Sequence, residues 1–137
     1  QYLDLSDNFL CSPYPECFMF IGNQKISNCS DSFCMHGYTE INGDCYYEKD
    51  LRVLQDFIDN NISLSNKNPL EIGLQKWENM RLDYLYLGAN NLTVIPESLC
   101  DIYTNLSIIN ISKNNICPPY PDCIIEYIGQ QNTSKCP

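Results

Sequence analysis

Histidine and tryptophan each occur once in this chain, glycine six times, and eight basic residues face seventeen acidic ones. Each scarcity removes a class of function. A lone histidine, His36, leaves most His-dependent nucleophile triads without a partner and gives a metal no second imidazole. The few glycines form no phosphate-cradling loop. A formal net charge of −9 would be repelled by a phosphate backbone, so no nucleic-acid partner is expected. Apolar runs are short too. The longest, Phe18-Met19-Phe20-Ile21, holds four residues, against the roughly 18 that a spanning helix needs, so no membrane insertion is expected. With no signal-peptide pattern read at its start, the chain is expected to be a mature form or an excerpt. The acidic residues are scattered rather than paired. Ser65 to Glu71 offers oxygens, but it carries Lys67 and lacks the acidic ladder of a calcium loop. No catalytic residue, metal or cofactor is expected.

Cysteine and asparagine, in contrast, are abundant. Nine cysteines in 137 residues exceed cytosolic usage, and an oxidising compartment would pair them. They lack C-x-x-C spacing, which sets disulfides well ahead of a structural metal. Asn-x-Ser/Thr acceptors fall at Asn28, Asn61, Asn91, Asn105, Asn110 and Asn132, where chance gives roughly two. Both features point to a secreted, extracellular glycoprotein, at a cell surface or in a matrix.

The chain repeats itself. Residues 3–17, LDLSDNFLCSPYPEC, match residues 109–123, INISKNNICPPYPDC, with Ile21-Gly22, Gln24 and Cys29 recurring at Ile128-Gly129, Gln131 and Cys136. The offset is 106 residues, becoming 107 after one insertion. A shorter step of 24 relates Leu85-x-Leu87-x-x-Asn90-x-Leu92 to Ile109-x-Ile111-x-x-Asn114-x-Ile116, and the same frame begins at Leu3. A degraded version runs through Ile62, Leu64, Asn68 and Leu70. Asn8, Asn90 and Asn114 fall after each strand-like stretch, where an amide can satisfy backbone groups that water does not reach. Ahead of the frames, Asn42-Gly43 between Tyr38 and Tyr47 is a hairpin signal, bracketed by Cys34 and Cys45. Leu51, Leu54 and Ile58 then share a helical face.

With the Leu92-x-x-Ile95-Pro96-x-x-Leu99 segment, these frames resemble extracellular leucine-rich repeats of the plant type, which have cysteine-containing caps. The resemblance implies an α/β fold: a short solenoid with parallel strands on its concave face, a disulfide hairpin plus helix as N-terminal cap, and a disulfide-bonded C-terminal cap. Residues 1–29 then read as the last repeat and C-cap of a preceding unit, 30–60 as an N-cap, 61–116 as repeats and 117–137 as a C-cap. Trp77, with Arg81 and Leu82, would plug the solenoid end. Stacked coils would place Cys100 over Cys123, leaving Cys117 with Cys136 and, by analogy, Cys11 with Cys29, and Cys17 unpaired.

Two functions fit this reading. One is a structural protein in which units of about 107 residues associate head to tail, covalently or not, in a fibre, matrix or adhesin. The short junction around Asn28 to Ser32 would make such an array stiff. The other is an ectodomain that takes an extracellular protein or glycan ligand on its concave face, where Tyr84 and Tyr86 point outward. Sugar on Asn110, between the inward Ile109 and Ile111, would block that face.

Overall fold

The computed structural model describes residues 4–8, 10, 22–24 and 34–137. Two compact units divide the chain, Gln1–Cys45 and Tyr46–Pro137. Strands β1 (Tyr38–Ile41) and β2 (Asp44–Tyr47) form a two-stranded sheet at the end of the first and the start of the second. The turn between them works because Asn42 and Gly43 both take left-handed φ, 56° and 91°, the geometry that matches strand twist in a two-residue hairpin. The Cys34–Cys45 disulfide closes its base.

The second unit then runs into α1 (Glu48–Asn60). Glu48 and Asp50 in its first turn complement the helix dipole. The face expected to be buried was Leu51, Leu54 and Ile58. The helix instead buries Asp50, Val53, Leu54 and Phe57, with Leu51 half-buried. Two interactions account for the rotation. Phe57 enters the core at 0% exposure, and the Asp50 carboxylate, equally enclosed, accepts from Arg81 Nε at 2.8 Å, Arg81 Nη2 at 3.1 Å and the Leu82 N–H at 2.9 Å. The Arg81 guanidinium also lies 4.2 Å over the Tyr47 ring.

After α1 come two 3-10 turns, Ile62–Leu64 and Pro69–Glu71. The segment weighed above as a calcium loop is thus largely a capped turn, in which Glu71 accepts from the Asn68 N–H at 2.9 Å. Strand β3 (Leu74–Glu78) then folds back on β4 (Arg81–Tyr86) through Asn79 and Met80, both left-handed. The pair is antiparallel with a bulge at Lys76/Trp77, while β4 pairs parallel with β5 (Ile108–Asn110). Trp77 is half-buried beside the core, not a plug at an open end. Its ring meets Tyr46 edge-on at 4.8 Å and its Nε1 donates to Gln75. Gly73 permits the tight entry to β3: its φ is +62°, and any Cβ there would run into the Tyr86 carbonyl.

These sheets correct the expected fold. Among the described residues there is no solenoid with a concave face of parallel strands. The described residues form one two-stranded sheet, one three-stranded mixed sheet and a single α-helix. The physical reason lies in the frames. Among the described residues only the frames at Leu85 and Ile109 supply neighbouring strands, joined at Tyr84↔Ile108 to Tyr86↔Asn110, while the degraded frame coils into 3-10 turns and β3 fills the remaining edge of β4 in the opposite sense. One aliphatic core nevertheless joins Leu54, Phe57 and Leu64 to Leu82, Leu85, Leu87, Leu92, Leu99, Ile111 and Ile124. Cys100–Cys123 and Cys117–Cys136 close the C-terminal half, which is otherwise mostly 3-10 turns and loops. Cys11, Cys17 and Cys29 lie outside the described residues, as does the expected Cys11–Cys29 bridge.

Arg81→Ala strips the enclosed Asp50 of its charge partner. The expected loss is about 3 kcal/mol in chemical denaturation, the scale for breaking a buried ion pair. Arg81→Lys is expected to recover only part of it, because an ammonium cannot make the same two-point contact.

Candidate functional site

Two features draw the chemistry-bearing side chains together: an asparagine-centred cluster that the chain builds twice, and the outer face of the three-stranded sheet. In the C-terminal copy of the cluster, Asn114 is 1% exposed. Its Nδ2 donates to the carbonyls of Leu87 at 2.9 Å and Ile111 at 2.8 Å, with a longer contact to Ser112. Its Oδ1 accepts from the N–H groups of Asn90 at 2.8 Å and Leu92 at 3.0 Å. Gln131 extends the cluster, donating to the carbonyls of Ile111 and Ile128 and accepting from the Ile116 N–H. The Lys113 N–H, at φ 58°, reaches the Gln130 carbonyl, and Gly129, at φ 61°, passes so close to Ser112 that a Cβ would meet it at 2.7 Å.

The N-terminal copy repeats this geometry. Asn8 Nδ2 donates to the carbonyls of Leu5 and Ser6, as Asn114 does to Ile111 and Ser112. Gln24 donates to the Leu5 carbonyl and accepts from the Leu10 N–H, as Gln131 does at Ile111 and Ile116. The Asp7 N–H, at φ 57°, bonds the Asn23 carbonyl, and a Cβ on Gly22 would again meet Ser6 at 2.7 Å. Even the polar lead-in is shared. Asp4 accepts from the Ser6 hydroxyl and N–H where Asn110 accepts from those of Ser112. The Ser6 hydroxyl, and after it the Ser6 N–H, hold the Asp4 carboxyl below its ordinary pKa.

On the sheet, register sets Tyr86 between Leu74 and Asn110, and Tyr84 between Lys76 and Ile108. These side chains share the face opposite Leu85. Tyr84, Tyr86 and Asn110 are half-buried, whereas Leu74 and Ile108 are 66% and 52% exposed. Gly88 gives part of the face its shape, since a Cβ there would come within 3.1 Å of the Tyr86 ring and 3.0 Å of Asn110 Oδ1.

The glycosylation acceptors separate by environment. Asn91, Asn105 and Asn132 are exposed, Asn110 is half-buried, and Asn28 lies outside the described residues. Asn61 differs: it is 1% exposed, and every polar atom of its amide is used. Its Nδ2 donates to the carbonyls of Phe57 and Val94, and its Oδ1 accepts from the N–H groups of Thr93 and Val94. A sugar on that nitrogen would displace the core. Its structural role was not legible from residue pattern, because partners 32 and 33 residues away leave no local signal. Asp50 was missed for the same reason.

His36 is exposed in the first unit. Among the described residues no three His, Cys, Asp or Glu side chains group as metal ligands do, and no helix is long and apolar enough to cross a membrane. A shallow depression of about 740 Å³ lies along Lys113, Gln130, Gln131, Asn132, Thr133 and Ser134. No protein-family model, curated protein or solved structure matches the chain.

In protein secreted from a eukaryotic cell, glycopeptide mass spectrometry should find sugar on Asn91, Asn105 and Asn132 and none on Asn61. Asn61→Gln is expected to cost about 3 kcal/mol by leaving enclosed amides and carbonyls unmatched, while Asn91→Gln should leave the denaturation midpoint unchanged.

Proposed function

We propose that this chain is a secreted, N-glycosylated structural protein in which a unit of about 107 residues recurs, forming a linear array in an extracellular fibre, matrix or adhesin. The observation that carries the proposal is the cluster built twice, around Asn8 and around Asn114, with matching hydrogen bonds and matching left-handed residues. A chain that reproduces one local structure at a fixed offset is assembled from repeated units, and such units propagate linearly through contacts between neighbours. The three disulfides of the described residues fit an oxidising, extracellular setting. Kinship with extracellular leucine-rich repeats belongs to the same proposal and rests on the sequence frames alone. No catalytic role is proposed.

A second reading has its own observation. Leu74 and Ile108 are exposed on the face that carries Tyr84 and Tyr86, and exposed aliphatics beside polar-tipped aromatics suit a protein or glycan ligand. Glycan on Asn110 would crowd that face and favour the structural role; a bare Asn110 would favour the ligand.

Intact-mass analysis and electron microscopy of the secreted natural material test the array. The expected result is a thin fibre with a regular axial repeat, built from chains or assemblies of many unit masses. Compact particles of a single unit's mass would overturn it.

A further inference from the structure

Asn110 alone among the described glycosylation acceptors lies in a strand, and it stands on the outer face of the mixed sheet. Its two amide atoms are used unequally. Oδ1 accepts from the Ser112 N–H at 3.1 Å and from the Ser112 hydroxyl at 2.8 Å, so the asparagine and the serine of one Asn-x-Ser motif hold each other. Nδ2, the atom that bears the sugar in an N-linked glycan, has no hydrogen-bond partner among the described residues. No side-chain nitrogen among them is both enclosed and unpaired, so this one meets solvent. Asn132 repeats the arrangement, its Oδ1 held by the Ser134 N–H at 3.2 Å and hydroxyl at 2.7 Å. Asn61 shows the reverse, with Nδ2 spent on two carbonyls.

The surroundings set Asn110 apart from Asn132. Tyr86 is its partner on β4, and Leu74 is the partner of Tyr86 on β3, with neighbouring strands about 4.8 Å apart. The Tyr86 ring and Asn110 Oδ1 both lie within 3.1 Å of the point that a Gly88 Cβ would take. Ring and amide are therefore side by side, because residue 88 has no side chain to part them. Leu74 and Ile108 flank the pair, 66% and 52% exposed, and leave apolar surface that is favourable to cover.

We propose that Asn110 carries an N-linked glycan whose first sugar is the occupant of this face, packed on the Tyr86 ring with Leu74 and Ile108 at its edges. The proposal rests on the secreted, N-glycosylated reading above and names the ligand of its sheet face. The occupant follows from position and chemistry. An N-linked glycan begins with N-acetylglucosamine, whose ring has a C–H face and whose acetamido group ends in a methyl. Both suit an aromatic ring bordered by exposed aliphatics, while the sugar hydroxyls stay in water. Attachment at Nδ2 also holds the sugar beside the ring at high effective concentration, so a contact too weak to capture a free sugar suffices for this one. The face is then closed by the chain's own modification, and a protein ligand would have to displace it.

The test uses the full chain secreted from a eukaryotic cell that leaves its glycans oligomannose, trimmed by an endoglycosidase to one N-acetylglucosamine per site. Glycopeptide mass spectrometry reads occupancy, and proton NMR reads the acetamido methyls. Sugar on Asn110 is expected. One methyl signal should lie upfield of the others, displaced by the ring current of Tyr86, and should show cross-relaxation with the Tyr86 ring protons. That signal should vanish in Asn110→Gln and return to the common position in Tyr86→Leu, which keeps an apolar side chain but removes the ring. The displaced signal and its contact with Tyr86 are read in the unsubstituted chain, so they decide the matter even if a variant fails to fold. A bare Asn110 beside occupied Asn91, Asn105 and Asn132 would overturn the inference and leave the glycoprotein reading intact. So would an occupied Asn110 whose methyl sits with the rest and shows no contact with Tyr86. Sugar on none of the acceptors would overturn the glycoprotein reading along with it.

Discussion

Burial of the core in the C-terminal half depends on carboxamide side chains acting as backbone. Between Leu87 and Cys136 there is one three-residue strand and a series of 3-10 turns, so few N–H and C=O groups find a regular ladder. An unmatched polar backbone group in an apolar interior costs as much as a lost hydrogen bond. Asn61, Asn114 and Gln131 remove that cost: each carries both a donor and an acceptor on a short arm and serves several peptide groups at once. Leu87, Leu92, Ile111 and Ile116 can then be enclosed without exposing the loops that carry them. The two disulfides in this half act on the same weakness from the other side, restricting the unfolded chain where regular structure contributes little.

The Asp50–Arg81 pair does comparable work where the helix meets the mixed sheet. A carboxylate 1% exposed is tolerated because a guanidinium and a peptide N–H face it together. The contact orients α1 so that Phe57 rather than Leu51 is enclosed. A charged pair at such a position contributes little net stability against an apolar substitute. What it supplies is a definite rotation of the helix.

These local devices are unevenly distributed along the chain. The amide cluster is self-contained enough to form around Asn8 with its own glutamine and glycine, yet reaches its enclosed form only when a neighbouring frame is present, as around Asn114. The sheet face around Tyr84 and Tyr86 is shaped by local packing on Gly88, and its aromatic rings are partly covered already. An outward position in the sequence pattern is therefore a weaker indication of a ligand than it first looks.

Much of this was legible in the residues themselves. The Asn42-Gly43 turn, the hairpin around it and the helix after it follow from local preference, and local preference acts within a few residues. The internal repeat, the enclosed asparagine and the pairing of Cys34 with Cys45 also have local signatures. Cys100 meets Cys123 because the 24-residue step survives as one parallel strand pair, even though the described residues do not form the solenoid inferred from it. Tertiary structure decided the rest. It turned β3 back against β4, rotated α1 onto Phe57, and made Asn61, by pattern a glycosylation acceptor, into an enclosed brace. The last two depend on partners more than 30 residues away, and β3 meets β4 across 3 to 12 residues. A periodic pattern states which side chains prefer to be inside; which backbone they meet there is settled only when distant segments compete for the same enclosed space.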